Sequence, residues 1–512
     1  MLKTYLSTLI LFCTALLAVQ ATPKLPITIN IATTGANGDG HTLNTTAIQH
    51  AIDSCTALGG GIVQVPAGKW LTGTILLKSN VTLQLDENAT LLGSTDIKDY
   101  QVIDGFKDGL GQQMGYALIG AVDIQHTGIT GKGTIDGQGK LVYASGGHQR
   151  RPFLIRFVRC EDVAMKGVML TAPTAWTLHF FRCKNIQAKD LRIFSRGLGN
   201  NDGIDIDCCE KVIIQDCDIN SGDDAICFKT TSPFPCRKVL VSNVRINTGE
   251  GAIKFGTESA GNFEEILVKN IKVIYAREGG IKIFSVDGSH INKIDIADID
   301  MDSVNMPIIM RLGARLKTFR DGDTKQPTGT ITNVSIKNVK VKTGTWTGML
   351  ISGIPDHYIA NVTLENIHIN VPGTGTAADA GIVLEEKTAD YPEIKMFGKI
   401  IPAYGLYVRH VANIRFNNIV FTSDKTDERP AIIGYDLANI TISKWKIPAS
   451  GGNEPVAKIS DANNVQIKNI TLPDNKKTFL HLSGVKSGGI VISKNLTVTT
   501  DSSVPENAVT KQ

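Results

Sequence analysis

A chain of 512 residues with 42% apolar residues, 20% charged residues and a formal charge of +4 has the make-up of a folded globular protein. So small a charge excludes binding driven by a broad basic or acidic surface, as on nucleic acid or a charged membrane. Beyond the N-terminus no apolar run reaches the roughly 20 residues of a membrane span.

The N-terminus reads as an export signal. Met1-Leu2-Lys3 precede an apolar stretch over residues 6–19, and Val19-Gln20-Ala21 supplies the small residues at which a signal peptidase cuts. Residues 1–21 are therefore expected to be removed, leaving an extracellular or periplasmic protein with one elongated domain over residues 22–500 and a flexible tail over residues 501–512. Eight cysteines remain, seven of them between residues 160 and 236. Their spacings are too long for the close pairs that zinc needs, and no His is interleaved, so a metal site is not expected. They read as small buried residues on an interior ladder, with one or two disulfides among Cys208, Cys209 and Cys217 left open.

From about residue 60 to 500 one phrase recurs: a small or apolar residue, two mostly polar residues, then Val or Ile opening a strand. It is Cys160-Glu161-Asp162-Val163 in its first copy, returns at residues 183, 209, 236 and 263, at intervals of 23, 26, 27 and 27 residues, and continues at residues 291, 331, 359, 411, 437 and 462. Each copy leads into alternating apolar and polar residues, the period of a strand. Short strands at so regular a spacing, with Gly, Asn and Asp between them, predict an all-β, single-stranded, right-handed parallel β-helix whose coils lie roughly 4.8 Å apart. Several Asn-X-Ser/Thr triplets, including those at Asn333, Asn361 and Asn439, coincide with the phrase and read first as turn chemistry.

Two acidic motifs stand one repeat apart, Asn200-Asn201-Asp202-Gly203-Ile204-Asp205 and Gly222-Asp223-Asp224-Ala225. An Asp beside Gly or Asn is usually a turn residue. Here the interval is one coil, so Asp202, Asp223 and Asp224 are expected to share one site. The repeat register stacks Asn201, Asp223 and Glu250 on one line and Asp202, Asp224 and Gly251 on the next. It also points Asp205, Cys227, Lys254 and Lys282 outward, while the Ile and Phe residues between them fill the interior. Arg311 and Arg315 fall near the same wall. The interval between the copies at residues 359 and 411 is 52 residues, so residues 373–404 form an insertion, either a wall of the cleft or a solvated decoration.

With these motifs in view, the chain resembles glycoside hydrolase family 28, the polygalacturonase-like hydrolases. Its Asn-X-Asp motif matches Asn200 to Asp202 and its Asp-Asp motif matches Asp223 and Asp224, at the same interval. Thr46-Ala47-Ile48-Gln49 through Gly59-Gly60-Gly61 is similar to the family's short N-terminal capping helix and first coil, here a cap over about residues 22–60. The resemblance implies hydrolysis with inversion, without metal or cofactor, of a pectic polysaccharide or oligosaccharide, homogalacturonan or rhamnogalacturonan, by a monomer. It makes Asp223 the general acid and gives Asp202 and Asp224 the attacking water, in a geometry where acid and base stand roughly 6.5 to 9.5 Å apart. Asn200, Glu250, Lys254, Lys282 and Arg311 become the candidate substrate-binding residues. Two positions depart from the family pattern: Gly249-Glu250-Gly251 has Glu where the family has His, and Lys282-Ile283-Phe284 keeps one cation of an Arg-Ile-Lys motif that binds a galacturonate carboxylate. Lys254 is expected to supply the second cation. Two other readings use the same residues. In a polysaccharide lyase Lys254 or Lys282 would be the base, with Ca²⁺ on the Asp trio. A carbohydrate-binding solenoid would keep the groove without turnover.

Overall fold

Each copy of the repeated phrase makes one corner of the solenoid. In all eleven, from Asp162 through Lys211 and Glu265 to Asn464, the third residue takes a left-handed φ between 53° and 59°. That conformation costs most side chains about 1–2 kcal/mol and costs Asn less. The asparagines also bond from coil to coil: Asn333 donates to Asn292 at 2.8 Å, Asn439 to Asn413 at 2.9 Å and Asn464 to Asn439 at 2.8 Å. A second left-handed corner bends the long strands Cys236–Thr248, Phe263–Ala276, His290–Val304, Thr330–Thr343 and Ile359–Val371, at Asn243, Asn270, Asp298, Asn338 and Asn366. The side-chain amides of Asn333, Asn361 and Asn439, within the Asn-X-Ser/Thr triplets, are donors in the coil-to-coil ladder.

Between corners the strands pair in parallel with the next coil. Ile204, Ile226, Ile253, Ile281 and Ile308 are successive partners in register, on Ile204–Asp207, Ile226–Thr230, Gly251–Ser259, Gly279–Ser285 and Ile308–Leu312. This computed structural model, which describes residues 27–146, 150–343, 348–472 and 478–512, is thus a parallel β-helix, wound in the sense that parallel crossovers take. Its interior is a set of apolar ladders, with Phe228 stacked on Phe255 at 4.5 Å between ring centres. Cys160, Cys183, Cys209 and Cys236 continue one ladder, and the Cys160 and Cys183 amides donate to the sulfurs of the next coil at 3.3 Å. All eight described cysteines are free and buried, so Cys208, Cys209 and Cys217 form no disulfide; Cys209 and Cys217 face the interior, whereas Cys208 faces an outer apolar cluster.

The helix Thr45–Ala57 closes one end, burying Ile48, Ala51, Ile52 and Cys55 against the first coil. At the other end Val509–Lys511, within the expected tail, adds a last parallel strand to Ile490–Ile492. The expected leader over residues 1–21 lies outside the described residues. Among these, no helix is long and apolar enough to cross a membrane.

Two covers lie on the outer face of one sheet. A hairpin of Gln101–Lys107 against Gln113–Val122 packs Ile103, Phe106 and Met114 onto Phe153, Trp176 and Phe181. Further along, the insertion packs Leu384, Ile394, Phe397 and Ile401 onto Phe284, Ile309, Leu350 and Tyr407.

Candidate active site

Three consecutive coils turn into the strip between these two covers, and backbone bonds fix their register: Gly203 N donates to Asp224 O and Ala225 N to Gly251 O, both at 2.9 Å. Asp202, Asp224 and Gly251 therefore occupy one row, with Asn201, Asp223 and Glu250 beside them. The first turn is stapled from within. Asn201 bonds through its amide nitrogen to Pro173 O at 3.2 Å and Ala175 O at 3.1 Å, and accepts from Leu198 N at 2.8 Å. Asn200, at φ 53°, accepts from Arg151 at 2.7 Å. A Cβ at position 251 would lie 2.7 Å from both Asp224 Oδ1 and Lys282 Cδ and would displace one of these side chains; as glycine, residue 251 lets its amide donate to Asp224 Oδ1 at 2.9 Å.

The resulting cleft holds about 360 Å³ and brings together Asn200, Asp202, Asp223, Asp224, Glu250 and Lys254. An oxygen of Asp202, an oxygen of Asp224 and the Cys227 sulfur lie within 4.8 Å of one another. Lys282 and Arg311 are not in its lining. Lys282 is fully buried, its Nζ 2.5 Å from Glu393 Oε2. Arg311 donates to Gly353 O and to the carbonyls of Glu386 and Lys387, and with Arg409, which bonds Leu384 O and Glu385 O, it nails the insertion to the sheet. The insertion is thus a wall: Tyr391, Glu393 and Lys395 line the cleft on one side, and Asp108 and Leu110 of the hairpin line it on the other. Arg315 stands behind, its guanidinium 5.4 Å from the Tyr391 ring.

Lys229 is a centre of charge that sequence reading missed. Its buried ammonium lies 3.5 Å from Asp202, 3.6 Å from Asp205 and 3.2 Å from Glu258, and 4.2 Å above the Trp176 ring. A signal existed, since Lys229 follows Cys227 by two residues and so faces the same way. Asp108 and Glu258 gave none, because the hairpin and a bulged strand bring them in.

The trio does not titrate alike. Burial would raise Asp224, but Lys254 at 2.7 Å, then Lys282 and Lys229, hold it at about 2. Asp223 is raised by burial and then by the Asp224 charge, although it accepts two amide bonds, from Asn200 and Asp224, each at 2.9 Å. Asp202 is raised well above the carboxylate range by burial and by its neighbour Asp205. Asp205 rises to about 7, mainly by burial. Glu250 also rises to about 7 by burial and the charges of Asp223 and Asp224, which outweigh its contact with Arg277, itself more than half exposed. Below that pH Glu250 can donate a hydrogen bond, so it is not confined to accepting. Two ammonium groups flank Asp202 and Asp224, and the Cys227 thiol is pushed up by burial and kept protonated, a donor set unsuited to a divalent cation.

Raised folded-state values carry a stability signature. For Asp205 and Glu250 the contribution is full below their ordinary values of 3.8 and 4.5 and is lost as pH climbs to about 7. Thermal midpoints are therefore expected to fall as pH rises from about 5 to about 7, and Asp205→Asn to flatten the decline. An unchanged slope in that variant would remove Asp205 from the account.

The sequence profile of glycosyl hydrolases family 28 matches residues 55–385. A protein named probable polygalacturonase, from Vitis vinifera, is 37% identical over 210 residues, covering 38% of this chain and 43% of that one. An exo-poly-alpha-D-galacturonosidase of Dickeya chrysanthemi is 37% identical over 158 residues, 29% of this chain and 26% of that one. The matched stretches thus span less than half of either relative. In three dimensions the chain is similar to an exopolygalacturonase of Thermotoga maritima, with a TM-score of 0.59 and 22% identity over 78% of this chain and 93% of that one. A family 28 exopolygalacturonase of Yersinia enterocolitica gives a TM-score of 0.62 at 20% identity over 81% and 78%. At such identities the two structures speak for the fold.

Proposed function

The chain belongs to glycosyl hydrolases family 28, and from that premise we propose that it is an exported glycoside hydrolase that breaks glycosidic bonds of a pectic polysaccharide or oligosaccharide with inversion. The observation that carries the reading is the split protonation of carboxyls on adjacent coils. Asp224 is held ionised by lysines, while burial and the Asp224 charge keep Asp223 protonated to higher pH. Pairs of carboxyls whose environments push them apart supply the acid and the base of a hydrolase. Asp223 then protonates the leaving oxygen. Asp202 and Asp224 hold the water, and Asp224, the ionised one, takes its proton as the water attacks the anomeric carbon from the opposite face.

The charge state of Lys254 speaks against the lyase alternative. Its ammonium is held on by Asp224 and Glu393 despite burial, which makes it a poor base. The test is to incubate the protein with homogalacturonan and rhamnogalacturonan fragments, following reducing ends, ultraviolet absorbance and the anomeric configuration of the first product. Reducing ends of inverted configuration without a rise in absorbance are expected. An absorbance rise accompanying cleavage would replace hydrolysis by elimination, and binding without new ends would leave only a carbohydrate-binding solenoid.

A further inference from the structure

Lys254 and Lys282 are register partners on adjacent coils, and both ammonium groups converge on one carboxylate, Glu393, at 3.1 Å and 2.5 Å. A clamp of two cations in the wall of the cleft is thus filled by the chain's own carboxylate. The filling is fixed in place. Glu393 bonds Tyr391 O through its amide at 3.0 Å and gives its carbonyl to Met396 N at 2.9 Å, Ile394 next to it is buried in the outer apolar cluster, and Thr257 donates to the Tyr391 hydroxyl at 2.8 Å. Arg311 and Arg409 hold the preceding stretch of insertion by its carbonyls. Seven carboxyl groups and three ammonium groups line the cleft. Two of the ammoniums, Lys229 and Lys254, are already paired with carboxylates, and the third, Lys395, is exposed. An acidic sugar pressed against Glu393 would meet a buried carboxylate whose two lysines are already taken, and among the described lining residues only Lys395, exposed to solvent screening, is left to offset it.

We propose that Glu393 is a specificity-determining residue that closes the Lys254–Lys282 clamp to uronates, so that the sugar bound against this wall is neutral. The proposal rests on the hydrolase reading and narrows its substrate class to a backbone in which a neutral sugar adjoins a uronate, as in rhamnogalacturonan, rather than an uninterrupted run of galacturonate. Discrimination here works by repulsion as well as by fit, since a carboxylate lodged among carboxylates pays its full desolvation.

Two measurements test it. In the first, the unaltered protein is offered saturated oligogalacturonates and rhamnogalacturonan oligosaccharides of equal length, and the second set is expected to be cleaved with the higher kcat/KM. A preference for oligogalacturonates would overturn the proposal. In the second, binding of D-galacturonate and D-galactose is titrated calorimetrically to the protein and to Glu393→Gln. The variant is expected to gain about tenfold or more in its preference for galacturonate over galactose, and adding Lys282→Met to it to cancel the gain. An unchanged or reduced preference in a folded Glu393→Gln would also overturn the proposal. The binding arm needs no turnover, so a protein that cleaves neither oligosaccharide would sink the hydrolase reading while the Glu393 assignment is still decided.

Discussion

Asp223→Asn is expected to lower kcat on a pectic oligosaccharide roughly 10²–10⁴-fold, the usual contribution of a positioned general acid. The substitution keeps the volume and shape of the side chain, and its oxygen can accept one of the two amide bonds now made from Asn200 and Asp224. The other amide loses its acceptor, at a cost of about 1 kcal/mol, so the variant should fold. The discriminating readout is the leaving group. An aryl glycoside whose phenolate leaves without a proton should lose little rate in Asp223→Asn, whereas Asp224→Asn should lose rate on both substrates, because every substrate needs the activated water. Equal losses for the two variants on the aryl glycoside would show that Asp223 is not the acid.

The same pair predicts the sign of the pH dependence. Rate should require Asp224 ionised, a condition met above about pH 2, and Asp223 protonated, a condition lost as pH rises through its raised value. Activity should therefore decline on the alkaline side, and the descending limb should disappear for a substrate that needs no acid.

The solenoid could be read from sequence because its cause is local. A left-handed corner every coil demands particular residues at the third position of the phrase, and a buried ladder demands Ile, Val, Cys or Phe at fixed offsets, so both constraints leave a period. For the same reason the row of Asp202, Asp224 and Gly251 follows from counting alone. The covers were not legible in this way. Asp108 reaches the cleft on a hairpin, and Glu393 on an insertion that obeys no repeat, so their places depend on tertiary packing. Lys254 and Lys282 show the limit most clearly: the period correctly turns them away from the core, but outward here means under the insertion rather than into solvent. Arg311 faces the same wall and serves the carbonyls of residues 386–387 instead of a sugar.

Lys229→Met is expected to give the largest loss of stability of any single change at the site, about 3–5 kcal/mol near neutral pH, the range for removing one partner of a buried ion pair. Lys229 is 3% exposed, and its ammonium stands among Asp202, Asp205 and Glu258. Methionine restores the packing against Trp176 but no charge. Asp202 is already protonated by its burial, but Glu258, held ionised by this ammonium despite burial, and Asp205 must then be protonated or stay buried as uncompensated anions. Their folded-state values move upward in the variant, so the deficit should shrink as pH falls and the folded state takes up protons more readily than the unfolded chain. A thermal scan of the two proteins at about pH 5 and about pH 8 reads this directly, with the midpoints converging at the lower pH. Replacing Asp205 by Asn in the Lys229→Met background should recover part of the loss by removing one stranded charge. A midpoint for Lys229→Met that matches the unaltered protein at the higher pH would mean that water, not Lys229, compensates these carboxylates, and that the cleft floor is wetter than its burial implies.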